Sequence, residues 1–102
     1  MNAKDDVRFK GVKKPLLEAM LKIYDIMEAT GEYTITSVSD GTHSLNSLHY
    51  SGLAMDLRTK HMPATGPNCP EYVAARIRVA LGPDYDIVCE GDHIHVEHDV
   101  KA

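Results

Sequence analysis

The sequence predicts an α+β fold in which a small antiparallel sheet is covered by two helices. Two segments place apolar residues at three- and four-residue steps, each with a proline at its start and a glycine just past its end. Three short segments rich in β-branched and aromatic residues, and a fourth short apolar one at Leu53 to Leu57, read as strands. The elements run helix, strand, strand, helix, strand, strand, and a turn of hairpin length joins the last two.

Residues 1–13 are charged and aperiodic, with Val7, Phe9 and Val12 as the only apolar anchors. They are expected to form a flexible or loosely ordered lead-in. Pro15 suits the first turn of a helix over residues 15–29. Its apolar stripe is Leu17, Met20, Leu21, Tyr24 and Met27, and Gly31 stops it. Glu32 to Ser39 is a strand by its β-branched, near-alternating residues. Residues 40–52 are rich in Gly, Ser, His and Asn and read as a loop, followed by a short buried strand from Leu53 to Leu57. The three prolines of 59–70 mark a second loop. Pro70 opens the second helix, with Tyr72, Val73, Ile77, Ala80 and Leu81 on one side, and Gly82-Pro83 ends it. Tyr85 to Cys89 and His93 to Glu97 are the last strands, joined by Glu90-Gly91-Asp92.

The chain has 102 residues, so one domain spanning 1–102 is expected. A domain of this size buries a modest core, and a bound metal would add to its stability. With 43% hydrophobic and 25% charged residues the composition is globular rather than disordered. The net charge of −4 gives no reason to expect nucleic acid or an anionic membrane as a partner. No apolar run nears the roughly 20 residues that span a bilayer. The polar N-terminus lacks the apolar stretch of a signal peptide, so the chain is expected to be cytoplasmic as synthesised. Cys69 and Cys89 are too few for a secreted disulfide scaffold and are read as reduced. A monomer is expected.

Histidine is the unusual feature: six in a short chain, four of them in two clusters. The first cluster is Ser47-Leu48-His49-Tyr50-Ser51-Gly52-Leu53-Ala54-Met55-Asp56, with His49 in a loop and Asp56 at the far end of the next strand. Imidazole nitrogen and carboxylate oxygen are both good zinc donors, although a surface His and a capping Asp would look the same. The second cluster is Glu90-Gly91-Asp92-His93-Ile94-His95-Val96-Glu97-His98. On a strand, His93, His95 and Glu97 share one face while Ile94 and Val96 take the other. That face is either a solvated surface or the wall of a reactive cleft. His98 has the wrong parity to join His93 and His95 in a three-His site.

Together the clusters read Ser-x-His-x-x-Gly-x-Ala-x-Asp, then an acid and His-x-His near the C-terminus. This pattern resembles the D-alanyl-D-alanine metallopeptidase family. That family includes zinc D-Ala-D-Ala carboxypeptidases and dipeptidases and phage endolysins cutting the L-Ala-D-Glu bond, and the hedgehog signalling domain is similar. The resemblance covers roughly Thr34 to His98 and implies a hedgehog/DD-peptidase-like fold. It implies one Zn²⁺ per chain held by His49, Asp56 and His95, with the fourth position open to water. It places a proton-transferring acid at Asp92 or Glu90, and His93 beside the metal. Ser47 either binds substrate or shapes its loop, and His43 either lines the cleft or lies on the surface.

The implied activity is hydrolysis of peptidoglycan stem peptides, as an endopeptidase or carboxypeptidase. Without a signal peptide, such an enzyme would reach the cell wall after release, as a phage or prophage lysin does, or as a virion component. The alternative is a non-catalytic zinc module of the same fold, acting in binding or virion structure. One departure stands out. Carboxypeptidase and dipeptidase members carry an arginine before the first motif, and here no Arg or Lys lies between Glu32 and Leu57. A substrate carboxylate wants a cationic partner, and Arg58 and Lys60 are the nearest cations in sequence.

Overall fold

The computed structural model describes residues 1–4, 12–38 and 53–99. Strand β1 is Asn2–Ala3, helix α1 Lys14–Lys22, helix α2 Tyr24–Glu28, β2 Thr34–Ser37, β3 Ala54–Arg58, helix α3 Pro70–Leu81, β4 Tyr85–Glu90 and β5 His93–His98. The architecture is α+β, with a five-stranded sheet in the order β1-β2-β3-β5-β4 and three helices.

The sheet is mixed rather than antiparallel, because β1 runs parallel to β2. Residues 2–3 are therefore an edge strand and not a loose lead-in. Asn2 N–H donates to Tyr33 O at 2.6 Å and Lys4 N–H to Ile35 O at 2.9 Å. Backbone pairing of this kind needs no apolar pattern, which is why a charged, aperiodic segment conceals it. The remaining pairs, β2 with β3, β3 with β5 and β5 with β4, are antiparallel.

The helix expected over 15–29 is two segments meeting at Ile23, whose φ of −97° and ψ of 5° bend the chain. The ladder survives the bend, since Ile23 N–H reaches Ala19 O at 3.1 Å and Met27 N–H reaches Ile23 O at 3.0 Å. The buried face is Leu16, Ala19, Met20, Ile23 and Met27, while Leu17, Leu21 and Tyr24 are exposed. Two apolar stripes one residue apart compete here. The one carrying small Ala19 faces the core, where it allows close approach to the sheet. On α3 the buried residues are Val73, Ala74, Ile77 and Leu81, so Tyr72 and Ala80 lie outside the core stripe rather than in it.

The helices pack on one face of the sheet, against Ile35, Met55, Leu57, Ile87, Ile94 and Val96. Polar ties fix their placement. The Tyr33 hydroxyl donates to Met20 O at 2.7 Å, the Tyr85 hydroxyl to Pro15 O at 2.8 Å, and Arg78 Nη2 to Ile87 O at 2.8 Å. Neither cysteine forms a disulfide. Among the described residues no helix is long and apolar enough to cross a membrane.

The β4–β5 turn depends on Gly91, which has a φ of +46°. A side chain in that left-handed conformation costs about 1–2 kcal/mol. Gly91→Ala is expected to lower unfolding free energy by that amount in urea titration, while Gly91→Asn, better suited to this conformation, loses less.

Candidate functional site

The register of β3 and β5 builds the site. Asp56 pairs with His95 and Arg58 with His93. Leu57, Ile94 and Val96 are fully buried on the helix side, so Asp56, Arg58, His93, His95 and Glu97 share the opposite face. On the other side of β3, Ser37 pairs with Asp56 after a register shift in β2. Such a bulge sets two residues of one strand against one of its neighbour, and Thr36 and Ser37 both end up facing the same cavity.

His95 lies between two carboxylates. Its Nδ1 is 2.9 Å from Asp56 Oδ1 and its Nε2 is 2.8 Å from Glu97 Oε1. Carboxylates only accept, so both ring nitrogens donate and the ring is an imidazolium. The hydrogen bond to Asp56, aided by that to Glu97 and opposed by burial, pushes the His95 pKa up to about 9.

This arrangement has a consequence for metal-free protein. The folded pKa of about 9 stands above the ordinary value of 6.5. Protonation therefore favours the folded state, fully below pH 6.5, and the benefit is lost as pH rises to about 9. Chelator-treated protein is expected to show a melting temperature that falls between those pH values. His95→Asn should flatten that part of the profile.

His93 is the second centre of the site. Its Nδ1 is 3.0 Å from Asp92 Oδ1, and its Nε2 is 3.6 Å from Glu90 Oε1 and 3.8 Å from Asp56 Oδ1. The two candidate acids thus flank one imidazole. The hydrogen bond from His93 holds the Asp92 carboxyl below the usual carboxylate range. Thr59 N–H donates to Asp92 O at 3.1 Å, which ties the hairpin turn to the end of β3.

A cavity of about 540 Å³ opens here. Asp56, Asp92 and His93 line it together with Lys4, Arg58 and Lys60. Glu90 is not part of the lining. Of the residues singled out by the sequence, Asp56, Asp92, His93 and His95 are brought together, with Glu90 at the margin. His43, Ser47 and His49 lie outside the described residues.

Glu97, placed on the His93 and His95 face but assigned no role, and Lys4, not singled out at all, are the residues of this site that the sequence left without a function. Glu97 was legible, being two residues from His95 on the same strand face. Lys4 was not, because only the β1–β2 pairing carries it to the cavity. Among the described residues, the one group of three donors close enough to hold a cation is Asp86, Glu97 and Asp99. Asp86 and Glu97 are cross-strand partners, and three carboxylates suit a hard cation more than zinc.

No protein-family model matches the chain, and no curated protein matches it by sequence.

Proposed function

We propose that the chain is a zinc-dependent peptidase with a hedgehog/DD-peptidase-like fold, acting on peptidoglycan stem peptides. The observation that carries this reading is the Asp56–His95 pair, from adjacent strands at 2.9 Å, beside a polar cavity. The donor set fits the metal. Two ligands at about 2.0–2.2 Å in tetrahedral geometry lie roughly 3.3 Å apart, so a small opening of this pair accommodates zinc. The contact of His95 Nε2 with Glu97 is the outer carboxylate that metal-bound histidines commonly have. His49 would complete the set.

When bound, zinc supplies Lewis acidity that makes water a nucleophile near neutral pH and polarises the scissile carbonyl. The chain's own groups do the rest. Asp92, on the cavity wall, takes the proton from the attacking water and passes it to the leaving amine. His93, hydrogen-bonded through Nδ1 to Asp92, orients that carboxylate, and in its protonated form Nε2 donates toward charge developing on the carbonyl oxygen. Glu90, 3.6 Å from His93, is the alternative acid.

A second reading, a non-catalytic zinc module of the same fold, is favoured by Asp92 itself. It is exposed and its carboxyl is held below the usual range, which makes it a weak base. The experiment is an assay for new amino groups from purified cell wall and stem peptides with zinc-loaded protein. Release that falls about 100-fold or more in Asp92→Asn supports catalysis with Asp92 as the acid. The same loss in Glu90→Gln alone transfers the role to Glu90. Zinc binding without any release selects the non-catalytic module.

A further inference from the structure

We propose that the outer face of α1 and α2 is the contact through which two copies of this chain pair, antiparallel, in place of the monomer expected from the sequence. These helices turn one apolar stripe to the sheet and a second one outward. The outward stripe is Leu17, Leu21 and Tyr24, which are 44%, 76% and 46% exposed. Backbone hydrogen bonds cross the bend at Ile23, so the stripe runs unbroken from α1 into α2. Apolar side chains scattered singly are ordinary on a protein surface, whereas a contiguous apolar row rimmed by charge marks a contact.

The spacing identifies the kind of partner. Lys14, Leu17, Leu21, Tyr24 and Glu28 follow one another at alternating steps of three and four, the spacing that packs one helix along another. The row ends in opposite charges, Lys14 at its start and Glu28 at its close, with Asp25 beside Tyr24. All three charged residues are exposed. A parallel pairing of two copies would set Lys14 against Lys14 and Glu28 against Glu28. An antiparallel pairing about a two-fold axis at Leu21 does the opposite. It sets Leu21 on the partner's Leu21, Leu17 on the partner's Tyr24 and Lys14 on the partner's Glu28. The last two contacts each occur twice, because a two-fold interface applies the same patch to itself.

Glu28 is available for this contact. The Met1 ammonium lies 3.6 Å from Oε2 alone, and the side chain stays half-exposed. Tyr72 and Val79 are also exposed on α3, but Arg76 lies between them and bonds to Pro67 O and Asn68 Oδ1, so no unbroken row forms there. The stretch from Lys14 to Glu28 is about 22 Å of helix. That is small for a stable interface, so a dissociation constant on the order of 100 µM is expected.

The test is sedimentation equilibrium and amide-shift NMR of the full chain, diluted from about 1 mM to about 10 µM to bracket that constant. The mass is expected to rise with concentration from 11.3 kDa toward twice that value, with shifts moving at Leu17, Leu21 and Tyr24. Leu21→Glu sets two carboxylates against each other on the axis and should hold the single-chain mass. Its far-UV CD spectrum should be unchanged, since Leu21 lies outside the core. Lys14→Glu should weaken pairing about tenfold or more, through like charges brought together. The double variant Lys14→Glu/Glu28→Lys reverses both charges and should restore it. A wild-type mass of 11.3 kDa at every concentration overturns the proposal. So does pairing that survives Leu21→Glu, or pairing that moves shifts at Tyr72 and Val79 instead. Wild-type pairing that the double variant fails to recover overturns the antiparallel arrangement. Neither measurement depends on zinc, so the outcome stands apart from the peptidase reading.

Discussion

His95→Ala is expected to remove zinc binding and hydrolysis together. In wild-type protein, zinc at 100 times its dissociation constant at the proposed site is expected to stabilise the fold by about 2.7 kcal/mol. For a domain of this size that is roughly 11–22 °C in melting temperature. The variant should show no zinc-dependent rise, and any amino-group release should fall to the level of the zinc-free wild-type protein. Removing His95 also leaves Asp56 and Glu97 without the imidazolium between them. Some loss of stability is therefore expected even without metal. Asp56→Asn separates the two effects, because it keeps a hydrogen-bonding partner for His95 while removing the anionic donor. It should retain the zinc-free melting temperature more closely than His95→Ala and still show little zinc-dependent rise. If Asp56→Asn binds zinc like the wild type, the metal is not held at this pair.

The second large effect lies behind the same strand. Ile94 is fully buried, between His93 and His95 on β5, and its Cα partners are Leu57 and Cys89. Ile94→Ala removes buried methyl and methylene groups and leaves a cavity, a change that costs about 2–5 kcal/mol. Small domains hold only about 5–15 kcal/mol in all, so a shift of roughly 8 °C or more in melting temperature is expected. Ile94→Val deletes one methylene and should cost about 0.5–1.5 kcal/mol. The comparison, made by chemical denaturation of chelator-treated protein, isolates packing from metal binding. If both variants unfold at the wild-type denaturant concentration, the β5 core face contributes less than its burial implies. Because the His and Ile side chains alternate on one short strand, loosening the core side should also weaken zinc binding.

Local patterns carried far into the structure. Alternation in His93-Ile94-His95-Val96-Glu97 set which side chains enter the core and which face outward, since strand parity leaves no third choice. Pro15, Gly31, Pro70 and Gly82 marked the helical regions, and hairpin length joined β4 to β5. Three matters were decided only by tertiary structure. The first is which of two adjacent apolar stripes on α1 turns inward, because Leu16 and Leu17 are equally apolar and only packing on the sheet separates them. The second is the edge strand Asn2–Ala3, since backbone pairing depends on a neighbour's free edge and not on side-chain pattern. The third is the partnership of residues 39 positions apart, Asp56 with His95, and the gathering of Lys4, Arg58 and Lys60 around one cavity. Sequence spacing fixes distances within a strand. Strand register fixes them between strands, and register is set by the whole sheet closing over its core.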